Sequence, residues 1–125
     1  MVFSKFIEVG RVVFVPNSGE IYTIVDVVNA KHILVDSPNG KRQVINLNRV
    51  QLTKFKCDFL HGAKTKTVKA AWAAADIDAQ WAASNWAKKL AKKSLRANAT
   101  DFDRFKVMKL KQARRQIVNA AVAKQ

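Results

Sequence analysis

All four glycines and both prolines of this 125-residue chain lie before residue 64. From there on Ala, Lys and Trp dominate, and with no helix breaker in the segment the composition is helical. Whatever sheet the molecule has must therefore come from the first half. The expected organisation is a strand domain over 1–60 and a helical region over 61–125.

The first half reads as short strands joined by tight turns. "EVGRVVFV" sets Val9, Arg11, Val13 and Val15 on one face and Val12 and Phe14 on the other, so this strand is apolar enough to be covered on both sides. "PNSG" carries turn chemistry in Pro16 and Gly19. The β-branched "EIYTIVDVV" follows, and a turn at Asn29-Ala30-Lys31 leads into "HILVD". "SPNG" then turns the chain into "KRQVINL", and "RVQL" can close the set. Four or five such strands indicate a small antiparallel barrel, because an open sheet of this length leaves unpaired edges.

The second half predicts three helices, over about 65–75, 77–96 and 101–122. Thr65 or Thr67 starts the first, Asp76 and Asp78 sit at the head of the second, and Thr100 caps the third with Asp101 and Asp103 in its first turn. "DID" at 76–78 and "DFD" at 101–103 resemble paired catalytic carboxylates, yet capping accounts for both. In the second helix Ile77, Trp81 and Leu95 fall on one side and Ala79, Ala83, Trp86 and Leu90 on the other. Two apolar faces imply two partners. One face is expected to pack on the barrel and the other on a neighbouring helix; the alternative is that one Trp meets an outside protein or a stacked base.

Charge separates the halves further. The chain carries a net charge of +14, and residues 1–60 hold eight Lys/Arg against five Asp/Glu, whereas residues 61–125 hold fifteen against four. So large an excess opposes compaction and makes sense when a polyanion neutralises it. In the third helix Phe102, Phe105, Ala113, Ile117 and Ala120 share a broad stripe, but Lys106 and Lys109 project within it, and Val107 and Met108 lie opposite. Charges that merely solvated an exposed face would keep to one side. A helix basic all round suits a rod laid along phosphate backbones.

Other chemistry is sparse. The N-terminus lacks the apolar run of a secretion signal, and the longest charge-free run, "AQWAASNWA", falls short of the roughly 18 residues that span a bilayer, so a soluble intracellular protein is expected. The lone Cys57 allows no internal disulfide and is expected to be a partly buried thiol. His32 reads as a strand residue and His61 as a loop residue, without metal-ligand spacing. There is no phosphate loop, nucleophile elbow or dinucleotide fingerprint. No cofactor, no metal and no catalytic residue is expected.

"FIEVGRVVFV", the Gly19 turn, "IVDVV", "LVD", "KRQ" and "QLT" together resemble the KOW-type SH3-like barrel of the eukaryotic and archaeal large-subunit ribosomal protein fourteen family, distinct from the bacterial protein of that number. "AWAAADIDAQWAASNWAKK" and "TDFDRFKVMK" resemble the family's eukaryotic C-terminal signature, and the second block is the more diagnostic. "PNSGE" departs from the pattern, being shorter than the usual turn and carrying Glu20 where a Lys commonly follows the glycine. The chain also stops soon after "AAVAKQ", which suggests a compact form without the long tails of some animal members.

The resemblance implies a structural constituent of the cytoplasmic large ribosomal subunit, passing through the nucleolus during assembly. It further implies a protein that binds rRNA and neighbouring ribosomal proteins, without catalytic activity. Phosphate contacts are expected at Arg11, Lys41, Arg42 and Arg49 in the barrel and at Lys64, Lys66 and Lys69 in the first helix. Lys88, Lys89, Lys92, Lys93 and Arg96 follow in the second helix, and Arg104, Lys106, Lys109, Lys111, Arg114 and Arg115 in the third. Trp72, Trp81, Trp86, Phe102 and Phe105 are expected to pack on protein. No membrane, small-molecule substrate or homo-oligomer is expected. The rival reading is a KOW-barrel transcription or chromatin factor; a membrane-surface module is disfavoured because Lys106 and Lys109 break the apolar stripe.

Overall fold

The computed structural model describes residues 5–123. Five strands come first: β1 (Arg11–Val15), β2 (Glu20–Asn29), β3 (His32–Asp36), β4 (Gln43–Asn46) and β5 (Gln51–Lys56). They form one antiparallel sheet in the order β4-β3-β2-β1-β5, with a 3-10 turn at Leu47–Arg49 joining the two outer strands. Among the described residues the sheet is open, with β4 and β5 as its edges, and its order and turn are consistent with an SH3-like, barrel-like fold. Helices α1 (Thr65–Ala74), α2 (Ile77–Ala83), α3 (Asn85–Ala97) and α4 (Asp101–Val122) complete a mixed β+α fold. The chain divides into two compact units, one ending at Ala82 and the other beginning at Ala83.

All five residues of β1 are buried, and their alternation builds two cores. Val13 and Val15 join Tyr22, Ile24, Ile33, Val35 and Ile45 on the inner face of the sheet, where Leu47, Val50 and Leu52 pack against them. Val12 points the other way and meets Phe55, Cys57, Trp72 and Ile77. The double covering expected of this strand is thus present, and α1 and α2 supply the outer cover. Phe14 stacks on Trp81 of α2, ring centroids 5.3 Å apart and planes inclined by 28°. In α1, Val68 and Trp72 are buried one turn apart on the same helix face. Each such side chain contributes about 1.5–3 kcal/mol by leaving water.

Gly10 makes the entry into β1 possible. Its φ is +84°, and a Cβ there would sit 2.0 Å from the Cys57 carbonyl oxygen. The Gly10 amide donates to the Ile24 carbonyl at 2.8 Å, and its carbonyl accepts from Cys57 N at 2.8 Å, so one residue ties β1 to both neighbours. Cys57 is wholly buried rather than partly so, and burial pushes its thiol up to about 11.

Asp36, buried at the end of β3, joins the sheet to the helices. It accepts from Arg42 Nε at 3.0 Å, from the Thr65 hydroxyl at 2.8 Å and from Ser37 N at 2.9 Å. Arg42 also donates to the Ala63 carbonyl, so the first residue of α1 and the loop before it are held to the strand end.

The first and third predicted helices agree with α1 and α4. The second is divided, because Ser84 adopts an extended backbone and its hydroxyl accepts from Ala87 N at 3.2 Å, capping a new helix. The break ends the register between Trp81 and Leu95: Trp81 packs on the outer core, while Leu95 is exposed. Ahead of this break Asp76, with φ of 47°, turns the chain between α1 and α2.

Candidate nucleic-acid interface

Helix α3 is amphipathic in a simple way. Trp86, Ala87 and Leu90 are half-buried, while Lys88, Lys89, Lys92, Lys93 and Arg96 are exposed. Lys88 with Lys92, Lys89 with Lys93, and Lys92 with Arg96 are like-charge pairs at i,i+4, each costing the isolated helix a few tenths of a kcal/mol. An external anion removes that cost.

Helix α4 has no buried residue. Its start is built from its own sequence: the Thr100 hydroxyl accepts from Asp103 N at 3.2 Å, and the Asp103 carboxylate accepts from the Thr100 hydroxyl at 2.8 Å and Thr100 N at 3.3 Å. The Thr100 side chain first, then its backbone amide, hold the Asp103 carboxyl below the usual range. The capping expected for "DFD" is what this aspartate does. Lys106 Nζ lies 3.6 Å from Asp103 and 4.3 Å from the centre of the Phe102 ring, and Lys109 Nζ lies 5.6 Å from that of Phe105.

Five of the six cations of α4 form two groups, with Arg114 outside both. Lys106 and Lys109 lie over the phenylalanines. On the opposite side, at about 100° per residue, Arg104, Lys111 and Arg115 align along one edge. With Arg96 at the end of α3 they line a groove of about 590 Å³ whose apolar surface comes from Ala99, Val107 and Met108. Among the described residues, Lys106 is the one cation of α3 and α4 with a carboxylate in ion-pair range.

The expected contacts in the first unit behave differently. Arg11 is a correction: it is 7% exposed, pairs with Glu8 and donates to the Thr53 and Lys54 carbonyls at 3.4 and 3.3 Å, so its guanidinium faces protein instead of phosphate. Lys56 foremost, then Arg11, hold the Glu8 carboxyl low. Arg42 is likewise committed to Asp36 and Ala63, although about a third of its side chain remains exposed. Lys41, Arg49, Lys64, Lys66 and Lys69 are exposed.

Of the expected packing residues, Trp72 is buried, Trp81 stacks on Phe14 and Trp86 is half-buried. Phe102 and Phe105 are 62% and 49% exposed, their covering being the two lysines and not a core of this chain. Sequence reasoning placed Val107 and Met108 opposite the phenylalanine stripe without assigning them a role. The signal was their pairing with cations at helical spacing, and the part it could not supply was the nearby end of α3.

Among the described residues no cluster of His, Cys, Asp and Glu is arranged to hold a metal ion, and no helix is long and apolar enough to cross a membrane. The fold and its charge define a class: a small basic β+α protein with an SH3-like sheet followed by helices whose cations face outward. Residues 41–115 match the family model described as ribosomal protein L14. The chain is 50% identical over 121 residues to large ribosomal subunit protein eL14 of Candida albicans, covering 96% of this chain and 92% of that protein. It is 46% identical over 127 residues to the Schizosaccharomyces pombe eL14 (98% and 95% covered) and 40% identical over 127 residues to that of Pisum sativum (99% and 96% covered). The chain belongs to the ribosomal protein L14 family, eL14.

Proposed function

We propose that this chain is a structural, non-catalytic constituent of the large ribosomal subunit that binds rRNA through phosphate and shape contacts. The relatives' names support the ribosome. The observation that supports RNA is the outward array on α3 and α4, where eleven cations meet two carboxylates, both at the start of α4. Phosphate contacts fall to these helices and to Lys41, Arg49, Lys64, Lys66 and Lys69, with Arg11 and Arg42 serving the fold. Readout is by shape, since A-form grooves offer side chains little sequence information. Phe102, Phe105 and Trp86 face neighbouring ribosomal proteins. The protein resides on cytoplasmic ribosomes after passing through the nucleolus during assembly.

Sucrose-gradient sedimentation of a lysate tests this reading: co-migration with the large subunit that survives moderate salt is expected, and its absence overturns the proposal. For the purified chain on its rRNA fragment, about eight phosphate contacts give a log–log salt slope on the order of −6 to −7. A slope near zero removes the electrostatic basis.

A further inference from the structure

The groove between the last turn of α3 and α4 has a shape that paired RNA does not need. A duplex backbone offers a convex ridge of phosphates, for which exposed cations on a convex helix suffice. Here Arg96, Arg104, Lys111 and Arg115 converge on a concavity of about 590 Å³ with an apolar floor at Val107 and Met108. That volume lies in the range of small-ligand sites. The one carboxylate at its rim, Asp103, is already engaged by Thr100 and Lys106. Lys111 and Arg115 repel each other at i,i+4, so the empty groove is electrostatically unfavourable and an anion relieves it.

Cations around an apolar floor fit a ligand with an anionic backbone and a flat face. We propose that the groove receives one unpaired nucleotide of the bound RNA, its base against Val107 and Met108 and its flanking phosphates on Arg104, Lys111 and Arg115. Unpaired bases stack on guanidinium planes, which Arg96 and Arg104 supply at the rim, and a flipped-out base also packs against apolar side chains such as Val107 and Met108. The inference rests on the RNA-binding reading above and adds a position where the RNA must be unpaired.

The test compares two labelled two-stranded RNA duplexes, one fully paired and one carrying a single bulged adenosine, bound to the whole chain and followed by fluorescence anisotropy at fixed salt. The bulged duplex is expected to bind at least about fivefold tighter, the low end of one stacked-base contact because the floor is aliphatic. The double variant V107A/M108A retains every charge and a strong helix former at each exposed position. It is expected to lose that preference while holding the paired duplex within about twofold of the parent. Equal binding of the two duplexes by the parent chain, or a preference that survives V107A/M108A, overturns the nucleotide groove and leaves RNA binding standing. Failure to bind either duplex overturns both.

Discussion

The two units treat the same residue types in opposite ways. In the unit ending at Ala82, Arg11 is buried against a carboxylate and two backbone carbonyls, the partly exposed Arg42 is held by a carboxylate and one carbonyl, and β1 is buried on both faces. In the unit beginning at Ala83 the cations of α3 and α4 remain outside and α4 buries nothing. A basic residue therefore has no fixed meaning in this chain. The face it occupies and the acceptors within reach decide whether it holds the fold or waits for a ligand.

That contrast predicts unequal responses to substitution. Trp72→Ala removes a large side chain from the outer core and is expected to cost about 3–5 kcal/mol in urea unfolding, whereas Phe102→Ala is expected to stay within about 0.5 kcal/mol. Similar losses at the two sites would break the comparison. Trp72→Phe should cost far less than Trp72→Ala, since it keeps a ring and removes an indole N–H that is buried without a partner among the described residues.

Asp36→Ala comes next. It strands Arg42 and the Thr65 hydroxyl, and an expected loss of about 3 kcal/mol reflects a buried carboxylate whose partner is partly exposed. Circular dichroism melts read the effect, and an unchanged midpoint would show that α1 is held by Trp72 and Val68 alone.

Alkaline pH gives a slightly smaller effect. Buried Cys57 keeps its proton to about 11 in the folded chain, while the unfolded thiol ionises near its ordinary value of 9.0. The unfolded state loses its proton first, so this contribution is intact below about pH 9 and fades as pH rises toward 11, by about 2–3 kcal/mol in all. Denaturation midpoints across that range should fall less steeply for Cys57→Ala than for the parent chain; equal slopes would place the thiol in contact with water.

Neutralising Arg104, Lys111 and Arg115 together to Gln has the smallest expected effect on stability, a gain of a few tenths of a kcal/mol from relieved repulsion. The same variant should lower the magnitude of the salt slope for RNA binding by about 2–3. A drop in melting temperature instead would mean that these side chains support the fold as Arg11 does.

Local signals in the sequence were enough for the strands and for α4. The alternation in "RVVFV", the turn residues of "PNSG" and the Thr100–Asp103 spacing each act within a few residues, and the elements fall where those patterns put them. Arg11 was legible but misassigned, because it shares the inward parity of Val13 and Val15 and has Glu8 three residues upstream. Ser84 was weaker still, one hydroxyl set against a helical run of alanines. The Asp36 junction and the groove beside Arg96 were not legible, since each joins residues that only the folded backbone brings together.

The cover that α1 and α2 place on β1 has a consequence for the chain as it is being made. When Lys56 has emerged all five strands exist, but the surface of Val12, Phe14 and Phe55 stays open until Trp72, Ile77 and Trp81 follow. From Lys56 to Trp81, at about 5–20 residues per second, that interval lasts about one to five seconds. During it the newborn sheet carries an open apolar face, and the two alanine-rich helices that end the interval act as the protein's own chaperone.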